Sequence, residues 1–364
     1  MGAKGDLTYE YDKAGNRTKI GGSFARTGIP QAITSTTYNA ANHQTTFADK
    51  TLTYDNNGNL QTITDSNGTT TYTWNARNQL TGISGPGVSA SFVYDGLGRR
   101  EKKTVNSSLT EFLFDSVNPV QETSGTTILA NILTGLGIDE FFARTDVLAG
   151  TTSNLLTDAL GSTIALADSA GAVQTEYAYE PFGKTTITGL SSFNPFQYMG
   201  RENDTTGLYY YRNRYYHPVL QRFISEDPIG FASGDENLYS YVLNSPLNHI
   251  DPEGLSSDKY VPDVRKHGGP HIDRYTPQGQ NVGRYRPDGT PIPHGGKTPP
   301  SIPKSDMGKF GKAVGKLAKL MKGAGLVGVI LGELFFPDPA GAGSDEVPKS
   351  KSADNGTNGV VDDG

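Results

Sequence analysis

The chain contains no cysteine. That excludes a disulfide framework, a thiol nucleophile and a cysteine zinc site, and it leaves export open. Apolar residues are scarce at 35%, which argues against a helical enzyme core and an all-α fold. Long apolar runs are also missing. Met1-Gly2-Ala3-Lys4 is followed by none, so no signal peptide is read and the chain looks like a C-terminal piece of something longer. The almost apolar stretch from Gly323 to Phe336 is broken by Glu333 and is too short for a simple membrane-spanning helix. Glycine (45) and tyrosine (19) are plentiful instead, the composition of turn-rich β-structure. At 364 residues the chain has room for two domains, or for one large shell with an appendage.

Net charge is −6, unevenly spread. Residues 1–255 hold 17 Lys/Arg against 26 Asp/Glu, residues 256–336 hold 13 against 6, and residues 337–364 hold 2 against 6. An acidic body thus carries a basic module. The asymmetry points to a polyanionic partner for residues 256–336, either nucleic acid or an anionic membrane surface, with solvated lysines as the plainer alternative.

An imperfect repeat runs through the body. Tyr11-Asp12, Tyr38-Asn39, Tyr54-Asp55, Trp74-Asn75 and Tyr94-Asp95 each join an aromatic to Asp or Asn, at spacings of 27, 16, 20 and 20 residues. Turn residues such as Asn57-Gly58-Asn59 come next, and alternating stretches such as Thr69 to Trp74 lie between. One hairpin cannot bury its aromatic alone, so neighbouring hairpins must stack into a continuous sheet. This pattern resembles the YD repeat of Rhs proteins and teneurins. Thr157-Asp158-Ala159-Leu160-Gly161, Tyr177-Ala178-Tyr179-Glu180-Pro181-Phe182-Gly183 and Thr206-Gly207-Leu208-Tyr209-Tyr210 look like the Rhs core domain. The resemblance covers roughly residues 9–255 and implies a hollow β-shell around a C-terminal toxin; with so few repeats, a closed shell is not expected.

From Tyr209 to Leu255 the chain reads as a border. Asp227-Pro228 and Asp251-Pro252 stand 24 residues apart, and the second pair opens Asp251-Pro252-Glu253-Gly254-Leu255. Asp-Pro is an ordinary turn pair, because Asp accepts backbone hydrogen bonds and Pro presets φ. Two carboxylates in one low-dielectric site can also share a proton, activating water while polarising a carbonyl. Set among the RYY, RFIS, DPIG and NLY stretches around them, these residues resemble the end of the Rhs core domain. The resemblance implies self-cleavage after Leu255, as in Rhs proteins and in the C component of insecticidal toxin complexes, with Asp227 and Asp251 catalytic. Arg214, thirteen residues before Asp227, matches the arginine of those families; Arg222 is nearer in sequence but less well supported.

Beyond Leu255, three of the six histidines (His267, His271, His294) stand among Arg265, Arg274, Arg284 and Arg286. Two short strands with a glycine turn are expected here. Metal-free RNA cleavage needs a base, an acid and cations around the phosphate, and His, Asp and Arg supply them near neutral pH. The order His267-Gly268, Asp273-Arg274-Tyr275, Asp288-Gly289, Gly296-Lys297-Thr298-Pro299-Pro300 resembles the catalytic domain of the cloacin-type ribonuclease colicins. By that resemblance His267 matches the catalytic histidine, Asp273 stands in place of a glutamate, and Asp263 lies near the first acid. Pro270-His271 looks inserted, and the arginine is left open between Arg284 and Arg286. His267, His271 and Asp273 could instead ligate a metal, but Gly268-Gly269-Pro270 rules out the helix that makes i, i+4 histidines converge.

Residues 307–336 read as a cationic amphipathic helix, with Lys309, Lys312, Lys316 and Lys319 on one side and Phe310, Val314 and Leu317 on another. The expected chain is therefore mainly β: YD-repeat structure over 1–150, an Rhs core domain with its self-cleavage border over 151–255, a small basic α+β or β toxin module over 256–306, the helix over 307–336 and a disordered tail over 337–364. No cofactor or metal is expected. The partners implied are an RNA substrate (rRNA or tRNA), a cognate immunity protein, a delivery or secretion apparatus, and anionic membrane at 307–336. The implied location is secreted, or delivered from one bacterial cell into another. A membrane-damaging tail, an insecticidal toxin-complex C component and a non-enzymatic surface scaffold or adhesin are the alternatives.

Overall fold

A computed structural model describes residues 5–13, 16–33, 35–233, 235–255, 259–263, 271–275, 281–286 and 290–292. Strands dominate it, as the glycine and tyrosine content led one to expect. A hairpin, β1 (Thr8–Tyr11) and β2 (Arg17–Gly21), comes first. Then sixteen strands, from β3 (Thr36–Tyr38) to β18 (Thr185–Gly189), pair antiparallel in chain order and form one uninterrupted wall. Each strand pairs with its sequence neighbours, so the wall is built from local contacts alone.

The repeat makes the wall in a legible way. At one rim the turns are tight, as where Asp65 pairs with Gly68 and Val105 with Ser108. At the other rim β5, β7 and β9 end on the repeat aromatics Tyr54, Trp74 and Tyr94, and the adjoining Asp or Asn closes a wider turn. Asp55 shows how: its Oδ1 accepts the N–H groups of Asn57 and Asn59, both at 2.9 Å, and its own N–H donates to Asn59 O at 2.9 Å. Gly58, three residues after Asp55, takes φ +76°, a left-handed value that glycine reaches without steric cost. Asp95 with Gly98 (φ +82°) and Asn75 with Asn78 (φ +56°) repeat the arrangement. The rule is aromatic, Asx, two residues, then Gly or Asn. Adjacent turns are tied along the rim: Asn59 donates to Asn78 Oδ1 (3.0 Å), Arg99 to Ser116 O (3.0 Å) and Asn118 to Gly137 O (2.7 Å).

On the wall lies a four-stranded ribbon, β19 (Glu202–Asn203), β20 (Tyr209–Tyr211), β21 (Arg214–His217) and β22 (Arg222–Phe223). Side chains alternate across a strand, so the ribbon has two faces, and both are buried. Tyr210 and Tyr215 join Leu52, Leu60, Leu80 and Phe92 in one core. Tyr209, Tyr211, Tyr216 and Phe223 join Leu166, Tyr177, Tyr198 and Tyr241 in another. An unbroken aromatic run is what a doubly covered ribbon requires, and the tyrosines are accordingly strand-packing residues. The ribbon is pinned by a buried ion cluster: Arg100 pairs with Asp204 and, at 2.5 Å, with Glu202, while Lys103 reaches Asp204 at 2.9 Å. Wall, hairpin and ribbon belong to one compact unit.

After the border the chain forms a separate three-stranded sheet, β23 (Lys259–Asp263), β24 (His271–Tyr275) and β25 (Asn281–Tyr285). Two strands were expected there; β23 is an addition that the glycine-turn pattern did not signal.

Candidate functional site

The ribbon brings the border residues together. Arg214 opens β21, Asp227 lies in the turn after β22, and Asp251 lies in the loop before Leu255; all three are buried. Arg214 Nη2 stands 3.1 Å from Asp227 Oδ2 and 3.5 Å from Asp251 Oδ2. One nitrogen therefore bridges both carboxylates. The rest of the guanidinium is held equally firmly: Nε donates to Gly254 O at 2.5 Å, Nη1 donates to Leu238 O at 3.0 Å, and its carbon sits 3.6 Å from the centre of the Phe223 ring. Arg222, the other arginine considered, donates to Asn42 O at 2.6 Å and stacks over Tyr239.

Each aspartate also behaves as the turn residue that Asp-Pro suggests. Asp227 Oδ1 accepts Ile229 N–H at 3.0 Å, and Asp251 Oδ1 accepts Leu255 N–H at 2.9 Å. The two readings of these residues are thus not exclusive. Oδ1 organises the local turn, while Oδ2 faces the shared arginine. The Asp251–Leu255 bond sets the carboxyl group beside the amide that joins Gly254 to Leu255.

Gly254 completes the approach. Its φ is +67°, and a Cβ there would lie 2.3 Å from Tyr211 O. Only glycine lets the border loop pass this close to the ribbon.

Burial raises the Asp251 carboxyl above its ordinary range; Arg214 and the Leu255 amide oppose this, while Asp227 and Glu253 add to it. Burial likewise draws the Arg214 guanidinium down, against the attraction of Asp251 and Asp227. A charge at this site is costly unless paired, and a proton on one carboxyl group relieves that cost.

The residues singled out beyond the border are placed less completely. Asp263 lies on β23, His271 and Asp273 on β24 and Arg284 on β25. Arg286 is exposed and donates to Thr290 Oγ1 at 3.3 Å. His267, His294 and the 307–336 stretch lie outside the described residues. Among the described residues no cluster of three His, Cys, Asp or Glu could hold a metal ion, and no helix is long and apolar enough to cross a membrane.

Sequence reasoning missed two residues of the site, Arg212 and Asn213. Both donate to the border loop, and their neighbourhood with Arg214 was the available signal.

The tRNA3(Ser)-specific nuclease WapA of Bacillus spizizenii is 32% identical over 260 residues, which is 68% of this chain and 11% of that protein. Double-stranded DNA deaminase toxin A of Burkholderia cenocepacia is 27% identical over 284 residues, 68% of this chain and 20% of that one. The chain therefore spans a tenth to a fifth of the length of these relatives. A crystal structure of TcdB2-TccC3-Cdc42 aligns at 22% identity with a TM-score of 0.49, covering 69% of this chain and 17% of that one. A family described as Teneurin YD-shell matches residues 3–246, a span that takes in the whole wall, the ribbon, Arg214 and Asp227, and the chain belongs to that family.

Proposed function

We propose that the border cuts its own chain once, between Leu255 and Ser256, and that the segment so freed is a nucleic-acid-directed toxin. The observation that carries the first part is the convergence of Asp227 Oδ2 and Asp251 Oδ2 on a single Arg214 nitrogen, next to the Leu255 amide. In this reading Asp227 takes a proton from a water molecule whose oxygen attacks the Leu255 carbonyl carbon. Asp251, which burial favours in the protonated form, supplies a proton to the Ser256 nitrogen as the C–N bond breaks. The products are a carboxylate at Leu255 and a free amine at Ser256. Arg214 holds the two acids in register and offsets the charge left on them.

The second part rests on the basic balance of residues 256–336 and on two relatives whose names are those of a tRNA nuclease and a DNA deaminase toxin. Within it, His267, Asp273, Asp263 and His271, with Arg284 or Arg286 on the phosphate, form a metal-independent ribonuclease acting on rRNA or tRNA of a competing cell. Delivery into that cell and an immunity protein in the producer belong to the same proposal.

Intact mass of the purified protein tests the first part, beside Asp227→Asn and Asp251→Asn. A fragment starting at Ser256 from the unaltered chain alone supports it; an unaltered chain that stays whole overturns it. Incubating the freed segment with ribosomes and tRNA then tests the second, with His267→Ala as the control that should leave the RNA intact.

A further inference from the structure

Two residues of the β20–β21 turn and the first residue of β21 donate to three consecutive carbonyls of the border loop. Arg212 Nη1 reaches Pro252 O at 2.5 Å, Asn213 Nδ2 reaches Glu253 O at 2.9 Å, and Arg214 Nε reaches Gly254 O at 2.5 Å. The offset is 40 residues at every rung. The first rung is itself braced from the wall, because Asp139 holds the Arg212 guanidinium at 2.7 and 3.0 Å and Val117 O accepts from it at 3.2 Å. The series stops for a structural reason. At the next position β21 turns to its other face, and the Tyr215 hydroxyl is engaged with Arg100 and Tyr94 at 3.2 Å.

We infer that this ladder is the device that selects the bond to be cut. It grips the carbonyls of residues 252 to 254 and ends there, so the carbonyl of Leu255 is the first that the turn does not take up. Arg212 and Asn213 are positioning residues: they act through the border loop, whereas Asp227 and Asp251 act on the bond. The inference rests on the self-cleavage reading and adds to it what decides the register. A slip of one residue would carry Gly254 away from Tyr211, where a Cβ has no room, so ladder and glycine enforce the same alignment.

Asn213 is exposed, so its side chain can be changed with little effect on folding. The full chain is made with Asn213→Ser, Asn213→Ala and Asn213→Asp, and with Arg212→Lys. Cleavage is tracked by intact mass and folding by thermal melting. Serine still offers a side-chain donor, alanine leaves the Glu253 carbonyl only the longer bond from the backbone N–H of residue 213 (3.4 Å), and aspartate presents a negative charge to it. Self-cleavage should slow in that order, reaching about tenfold for alanine, the size of one lost hydrogen bond. Fragments starting at Leu255 or Ser257 should accompany the one starting at Ser256, with melting unchanged. Arg212→Lys should behave like Asn213→Ala. Cleavage at unaltered rate and position in all four variants overturns the ladder while leaving self-cleavage standing. An unaltered chain that never cuts overturns both.

Discussion

The wall and the border use the same residue in two ways. Asp55, Asp95 and Asp168 in the wall each place Oδ1 on turn N–H groups and spend Oδ2 within or beside the same turn, on Asn59, Arg99 and Gln174. Asp227 and Asp251 in the border also place Oδ1 on turn N–H groups, but their Oδ2 atoms meet an arginine from a strand 13 and 37 residues away. For Asp168 and Asp251 the electrostatic result differs in sign. The backbone N–H of Ala172 is the main cause holding the Asp168 carboxyl below its usual range, whereas burial pushes Asp251 above it. Burial raises the wall residue Asp158 as well, so what sets the border apart is the arginine its two aspartates share, while the turn each caps is common to both classes.

The sharpest way to break this comparison is to remove charge from each class. Asp227→Asn and Asp251→Asn should slow self-cleavage by about a hundredfold to ten-thousandfold, the range for losing an acid or base. Asp55→Asn and Asp95→Asn should leave the rate unchanged, as read by intact mass against time. If the wall variants slow the cut as much, the distinction fails.

Glycine offers the next contrast. Gly254→Ala combines a left-handed φ with a 2.3 Å approach to Tyr211 O, and it should slow the cut at least tenfold. Gly161→Ala in the wall has φ +89° but nothing within 4 Å of the new Cβ, so it should cost only about 1 kcal/mol in denaturant unfolding and spare the cut.

Acid and base separate the classes further. Because the folded Asp251 carboxyl binds its proton more tightly than the unfolded one, it stabilises the fold at low pH and loses that contribution as pH rises through its raised pKa. The rate of cutting should fall across the same rise. Asp168 has the opposite sign, contributing above the ordinary carboxylate pKa and losing the contribution as pH falls through its depressed one. His217 adds to acid sensitivity: burial, with the Lys50 charge, lowers it from 6.5 to about 4, so its contribution disappears as pH falls through that window. Melting temperature should fall less steeply than in the unaltered chain for His217→Gln as pH falls from about 7 to about 4, and for Asp168→Asn only below about pH 4.

The smallest effect belongs to a single wall turn. Asp95→Ala should cost about 1 kcal/mol, since neighbouring turns remain tied along the rim.

Much of the wall was legible because its contacts are local. Tyr54-Asp55 and Tyr94-Asp95 announce a strand end and a turn together, and the glycine three residues on completes the signal. Asp158 and Asp168 close turns of the same kind but lack the aromatic partner, so the aromatic-based count of repeats stopped short of the sixteen strands. The border was legible as a motif, and the roles of Asp227, Asp251 and Arg214 came with the resemblance. Arg212 and Asn213 were not, because an arginine and an asparagine in a hairpin turn read as solvent-facing residues until a loop 40 positions later is laid against them.

By itself the sequence determined the strand alternation, the turn chemistry and the basic character of residues 256–336, because periodicity, turn preference and charge are properties of neighbouring residues. Tertiary structure alone decided that the ribbon would be covered on both faces, that Arg100 would be neutralised by Asp204 and Glu202, and that one arginine nitrogen would stand between two aspartates. Those outcomes depend on bringing distant segments into a buried space, where the cost of an unpaired charge selects partners that no local pattern records.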